Sequence, residues 1–261
     1  MIRSLWTAAS GMTAQKINMD VIANNLANVN TSGFKKSRAD FEDLLYQNLK
    51  SPGADTSSGS QIPTGIQIGM GTRYSSVQKI FSQGDSVQTG NQLDLSIAGN
   101  GFFKILNANG EEVFTRAGSF KISSEGYLVT SQGDRLQPEV SIPTNTVHFT
   151  IDTSGALEAF DENGDTTTTA QLTITNFINP AGMNSLGGNY YSPSGASGDA
   201  VEGNPGIDGL GTIVQGSLEM SNVDVVEEMV NMIAGQRAYE ISSKSIKAAD
   251  EMMQMANNIK R

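Results

Sequence analysis

The sequence predicts an α+β protein: helices at the N- and C-terminal ends that pair as a coiled coil, with an all-β domain of short strands between them in the chain. Near the start, Leu5, Met12, Met19 and Leu26 fall seven apart, and Ala8, Gln15, Ile22 and Val29 follow each by three. From Ala234, apolar or small residues recur at Ala238, Ile241, Ser245, Ala248, Met252, Met255 and Ile259, alternating four and three. Both series are the a and d positions of heptads. Between them the period drops to two, as at Leu93, Leu95 and Ile97, and Asn-Gly, Glu-Gly and Gln-Gly pairs break the chain into strands.

The first element, residues 1–33, is a helix from about Ser4 to Val29. It stops at the polar run before Gly33, which can adopt the left-handed backbone that ends helices. Gly11 weakens it by about 1 kcal/mol relative to alanine. Asn24, Asn25 and Asn28 are also poor helix formers. Two readings fit them: an exposed, fraying last turn, or amides that bond across to neighbouring chains and set register, as a polar a-position residue does.

Residues 34–85 form an extended linking segment. Lys35 to Arg38 are basic, and Phe41 to Tyr46 could form a short helix or an extended apolar clamp. Ser, Gly, Pro and Thr dominate from Ser51 to Thr64, a composition that reads as a flexible loop in which Pro52 and Pro63 limit freedom. Residues 86–180 are the β-rich domain, with turns at Asn109-Gly110, Glu125-Gly126, Gln132-Gly133 and Asn163-Gly164. Residues 181–220 are a return segment; ten glycines between 181 and 216 predict irregular structure.

The last element, residues 221–261, is a helix roughly 55–60 Å long. Ser221 with Asp224, or Asp224 with Glu227, supplies a capping box, and Val226 and Val230 begin its apolar stripe. A domain of this size cannot cover a helix of that length, so the stripe needs a partner. The N-terminal seam is the candidate within the chain.

The totals restrict function. Net charge is −10, and residues 51–220 carry six basic against seventeen acidic groups, whereas the two ends are near neutral. Basic residues are not clustered, which argues against nucleic acid or an anionic membrane as partner. There is no cysteine, hence no thiol chemistry. No run approaches 18 apolar residues, so no membrane insertion is expected. The N-terminus has no continuous apolar core of the kind a cleaved signal peptide carries, so export would take another route.

No motif carries catalysis or a cofactor. Asp161, Asn163 and Asp165 imitate the first ligands of a calcium loop, but Thr166 and Leu172 stand where Gly and Glu are needed. Gly99-Asn100-Gly101 lacks the rest of a dinucleotide fingerprint. His148 is the single histidine, on a strand pattern, and cannot build a histidine-based metal site. An enzymatic alternative would need convergent carboxylates, for example Asp94 with Glu125 or Asp134. A monomeric binding module with an intramolecular helical hairpin is a further alternative.

Several runs carry a resemblance. ANNLANVNTSGFK, Ala23–Lys35, resembles the N-terminal signature of the bacterial flagellar rod and hook proteins, and Ser221–Met253 resembles the C-terminal one. GNGFFKI and FTRAGSFKISSEGYLVT resemble their shared β-domain. MIRSLWTAASGM, the run NMDVIANNLANVNTSGFKKSRADFEDLLYQ and QIGMGTR narrow the likeness to the distal rod type, the FlgG family, over essentially the whole chain. Proximal rod and hook proteins are the alternatives.

The resemblance implies a non-enzymatic subunit of a rigid helical tube that transmits motor torque to the hook. It places Asn24, Asn25, Asn28, Gly33 and Phe34 in the family signature. It makes Leu5, Met12, Met19, Ile22, Leu26 and Val29, with Val226, Val230, Ala234, Ile241, Ala248, Met252, Met255 and Ile259, the assembly seams. It further implies that an insertion containing Pro52, Gly53 and Pro63 packs between neighbouring subunits and stiffens the tube. The implied partners are copies of the chain itself, proximal rod and hook proteins along the axis, periplasmic and outer-membrane ring proteins around it, and the flagellar type III export apparatus. The implied location is the basal-body rod, reached from the cytoplasm.

Overall fold

The computed structural model describes residues 2–50, 64–143 and 146–259. These fall into two compact units, each built from segments distant in sequence.

The first unit comprises residues 1–26, 37–78 and 225–261. It holds α1 (Ile2–Ala27), β1 (Ser37–Asp43), β2 (Tyr46–Lys50), β3 (Ile66–Gly69), β4 (Thr72–Lys79) and α2 (Val225–Ile259). α2 starts directly after Asp224, with Glu227 and Glu228 in its first turn, where negative charge suits the positive end of the helix dipole. Its 35 residues make it about 52 Å long. Strands β1 and β4 pair, as do β2 and β3, the latter antiparallel with Tyr46 opposite Gly69. The segment Phe41 to Tyr46, open to a helical reading from sequence, is extended. Leu44 donates its N–H to Gly71 O at 2.9 Å across the bend between the two ribbons.

The second unit, residues 27–36 and 79–224, carries all the remaining strands. These are β5 (Ser86–Gln88), β6 (Leu95–Ala98), β7 (Phe103–Leu106), β8 (Glu112–Thr115), β9 (Lys121–Ile122), β10 (Leu128–Val129), β11 (Arg135–Gln137), β12 (His148–Ile151), β13 (Ala156–Phe160), β14 (Thr166–Gln171), β15 (Ile174–Asn176), β16 (Asn184–Gly187), β17 (Tyr190–Ser192), β18 (Val201–Gly203), β19 (Thr212–Gln215) and β20 (Ser217–Glu219). The main sheet has the order β16-β17-β8-β7-β11-β10-β9; β12, β13 and β14 form a smaller one; and β6–β19, β5–β20 and β15–β18 pair off. Every pairing with a described register here is antiparallel, which is what hairpins joined by tight turns produce. Gly110, Gly126, Gly133 and Gly164 all have φ between 80° and 93°, so the four dipeptides expected as turns are turns.

Alternating strand residues supply the core. Ile97, Ile105, Leu157, Ile174 and Ile213 are fully buried together. A second cluster stacks Phe102, Phe114, Phe177 and Tyr191, with Phe114 and Phe177 meeting edge to face at 4.9 Å. The glycine-rich segment 181–216, expected to be irregular, instead supplies β16 to β19. Several of its glycines sit between the strands: Gly198, Gly206 and Gly209 take φ of 76°, 83° and 77°. Among the described residues, no helix is long and apolar enough to cross a membrane.

Candidate assembly interface

The two long helices pack antiparallel through small residues. A side chain added at Gly235 of α2 would lie 3.4 Å from Met19 Cγ and 3.5 Å from Gln15 Oε1; one added at Gly11 of α1 would lie 3.6 Å from Ser242 Oγ. Further along, Asn25 Nδ2 donates to Glu228 Oε1 at 3.4 Å. On α1, Ala14, Ile22 and Asn25 are buried, and Leu5, Met12, Met19 and Leu26 are half-buried; Val29, expected on the helix, is half-buried in the turn after it. On α2 the shielded positions are Glu228, Met232, Gly235, Ala238, Ser242, Ser243, Ile246, Ala249 and Met253.

That face is not the apolar stripe the sequence pointed to. Val226 is 71 % exposed and Ile241 63 %; Val230, Met252 and Met255 are exposed too, as are Ala234 and Ala248. Ile259 lies in the helix, but its side chain is outside the description. Over the C-terminal half of α2, the shielded series sits one position from the apolar one, a rotation of about 100°. The physical reason is close approach. Gly235, Ser242 and Ala249 let the helix backbones come near each other, which a ridge of Val, Ile and Met would prevent. The branched stripe with Met229 and Ile233 is therefore left facing outward over most of the helix.

Unit 1 shows a second apolar exposure on its ribbons: Leu45, Tyr46, Leu49, Ile66, Ile68 and Met70 are all exposed. β2 and β3 end at Lys50 and begin at Ile66, so Pro52, Gly53 and Pro63 fall outside the described residues.

The asparagines of the N-terminal signature divide. Asn24 is exposed, Asn28 half-buried. Thr31 closes the turn after α1 by donating its N–H to Asn28 O at 3.1 Å and its hydroxyl to Asn28 Oδ1 at 3.3 Å. Asn25, read from sequence as able to bond across to another chain, is committed within its own. It is 1 % exposed, donates to Ser37 O at 2.8 Å and accepts from Ser37 N–H at 2.9 Å. Both ends of one amide thus pin the start of β1 to α1.

Gly33 and Phe34 belong to unit 2. Gly33 has φ of 70°, and a Cβ there would come within 2.5 Å of Ala117 N. Lys79 Nζ stands 4.8 Å above the Phe34 ring. Beside them lies a charge cluster that sequence reasoning missed. Lys35 Nζ pairs with Glu219 Oε1 at 2.6 Å, and Arg116 Nε with Glu219 Oε2 at 2.8 Å, all three side chains being nearly inaccessible. Lys35 also donates to Ser82 O at 2.6 Å; Arg116 donates to Gly99 O at 2.6 Å and to Gly101 O. Burial pushes the Lys35 ammonium below its ordinary pKa of 10.5, and Glu219 opposes that shift. Lys35 looked like one member of a basic run; only its partners Ser82 and Glu219, 47 and 184 residues away in sequence, make it structural.

The carboxylates weighed for catalysis are occupied separately. Asp94 accepts from Thr89 Oγ1 at 2.6 Å, and Glu125 pairs with Arg135 at 2.8 Å. Asp161 Oδ1 accepts the N–H of Asn163 and of Asp165 at 2.9 and 3.0 Å, which makes a hairpin turn of the calcium-loop look-alike. His148 Nδ1 shares a 2.7 Å hydrogen bond with the Gln92 amide and stacks on Phe160.

Comparison with known proteins covers the same segments. Residues 5–35 match the family profile "Flagella basal body rod protein", residues 96–159 "Flagellar hook protein FlgE/F/G D1 domain", and residues 214–259 "Flagellar basal body rod FlgEFG protein C-terminal". The chain is 47 % identical to flagellar basal-body rod protein FlgG of Borreliella burgdorferi, covering 100 % of both chains. It is 42 % identical to that of Caulobacter vibrioides over 99 % of this chain and 100 % of the relative. For that of Bacillus subtilis the identity is 39 %, again across 100 % of both.

Proposed function

Since the chain belongs to the FlgG family of flagellar basal-body rod proteins, and so is a non-enzymatic structural subunit of the distal rod, we propose that the outward stripe of α2 is the surface by which copies build that rod. The observation that carries this reading is the split between the two faces of α2. One is closed against α1 through small residues, and the other presents Val226, Met229, Val230, Ile233, Ile241, Met252 and Met255 to solvent. Full burial of a fully exposed Val, Ile or Met is worth about 1.5–3 kcal/mol, and covering the exposed part of each of these side chains contributes in the same direction toward association.

The contact is heterologous: the stripe of one copy meets a different face of the next, which extends a filament instead of closing a ring. The half-buried α1 residues Leu5, Met12, Met19 and Leu26, with Val29 in the turn after the helix, complete the seam once neighbours approach. Near-neutral ends of the chain allow this packing, while the acidic stretch 51–220 suits a water-facing wall. In this reading the tube is stiff and carries torque. Proximal rod and hook proteins adjoin it axially, ring proteins surround it, and the subunit arrives through the flagellar type III apparatus.

The test is a double substitution, Ile241→Asp with Met252→Asp, on exposed positions of α2. Purified at high concentration, the parent chain is expected to form tubes visible by electron microscopy. The variant is expected to keep its helix content by circular dichroism and to stay monomeric. Tubes of normal length from the variant would refute the reading.

A further inference from the structure

The chain has eleven methionines and no cysteine, so thioethers are its entire sulfur. Among the described residues, four methionines are exposed, Met70, Met229, Met252 and Met255, and three of them lie on α2. Met183 is buried in the aromatic cluster of unit 2; Met12, Met19, Met220, Met232 and Met253 are half-buried. The most accessible sulfurs therefore concentrate on the stripe that must become dry when copies associate. Met252 and Met255 are one helical turn apart, and Met229 lies among Val225, Val226, Val230 and Ile233.

We propose that this stripe is an oxidation site that controls assembly: a peroxide converts Met229, Met252 and Met255 of the free subunit to sulfoxides, and the oxidised face no longer docks on a second copy. The inference rests on the assembly reading above. In the step itself a lone pair of the thioether sulfur attacks one peroxide oxygen. The O–O bond breaks, an S–O bond forms, and the departing hydroxide takes the proton from the oxygen now on sulfur, leaving the neutral sulfoxide and water. Sulfur loses two electrons and hydrogen peroxide, the oxidant, gains them. The product replaces a flexible apolar tip by a polar, chiral S=O group. Burying that group without a donor forfeits the gain that thioether burial provides, and it adds a desolvation cost. Once a copy is docked, the same sulfurs are covered, so the free subunit is the vulnerable state. The change is reversible by methionine sulfoxide reductases with a thiol as reductant.

The experiment treats the full-length chain with graded hydrogen peroxide, maps added oxygen by peptide mass spectrometry, and measures the critical concentration for tube formation. The same is done for a variant carrying Met229→Leu, Met252→Leu and Met255→Leu. Leucine keeps volume and helix propensity but cannot be oxidised at sulfur. Expected are oxidation of the three α2 methionines well before Met183, and a critical concentration that rises roughly tenfold per oxidised stripe methionine. The leucine variant should keep assembling after the same treatment, and reductase with dithiothreitol should restore the parent. Unchanged assembly with the three sulfoxides present overturns the proposal, as does equal loss of assembly in the leucine variant. A parent chain that stays monomeric before any peroxide is added instead refutes the assembly reading, and this inference falls with it.

Discussion

Glu219 faces two cations at once and accepts a third hydrogen bond from Gly84 N–H at 3.0 Å, while its own carbonyl accepts from Gly33 N–H at 2.8 Å. The residue thus ties four stretches of unit 2 together: 33–35, 82–84, 99–116 and the end of β20. A buried carboxylate in this position is costly to remove, because Lys35 and Arg116 would remain charged and unpaired. Glu219→Leu is expected to lower unfolding free energy by about 3–5 kcal/mol, read as a shift in the urea midpoint by circular dichroism. Tyr190 gives a pH signature. Burial, foremost, pushes its phenol up to about 12 from 10.0, so the neutral form is the one the fold favours. For a raised folded value, the stability is fully present below pH 10 and is lost as pH climbs through about 12. Urea midpoints followed between pH 9 and 12 should fall across that window, and Tyr190→Phe should flatten part of the fall. Tyr191 is likewise raised by burial.

Each element carries its own constraint. Gly11 sits mid-helix in α1, yet the 3.6 Å clearance to Ser242 Oγ is an ordinary contact. Gly11→Ala should therefore stabilise α1 by about 0.5–1 kcal/mol, seen as a higher midpoint in helix melting by circular dichroism. A bulky residue at Gly235 should act the other way, because Met19 and Gln15 already line that position and the helices would be forced apart. The turn after α1 is less forgiving than either. Gly33→Ala combines a left-handed backbone with a Cβ 2.5 Å from Ala117 N, and should cost about 2 kcal/mol or more, measured by chemical denaturation of unit 2.

At the scale of the whole molecule, one reporter is built in. Trp6, the single tryptophan, is 70 % exposed near the start of α1. If assembly covers the terminal helices, its emission should shift to the blue with rising concentration in the parent chain, and not in a chain truncated before Ile241. The repeats by themselves determined that both ends are long helices, since a four-three spacing over more than twenty residues has no other regular solution. The Asn-Gly, Glu-Gly and Gln-Gly pairs determined the hairpins between them, because glycine accepts positive φ without strain. Two matters were not local. The first was which face of α2 meets α1. Val226, Ile241 and Met252 formed the more conspicuous stripe, but Gly235, Ser242 and Ala249 allow the closer approach, and backbone separation decided the contact. The second was the roles of Asn25 and Lys35. Each looked like part of a polar run, and each acquires its meaning only from Ser37, Glu228 and Glu219, which folding brings within hydrogen-bonding reach. Periodicity is a property of one segment and can be read from it; the partner that satisfies a buried amide or charge is a property of the packed chain.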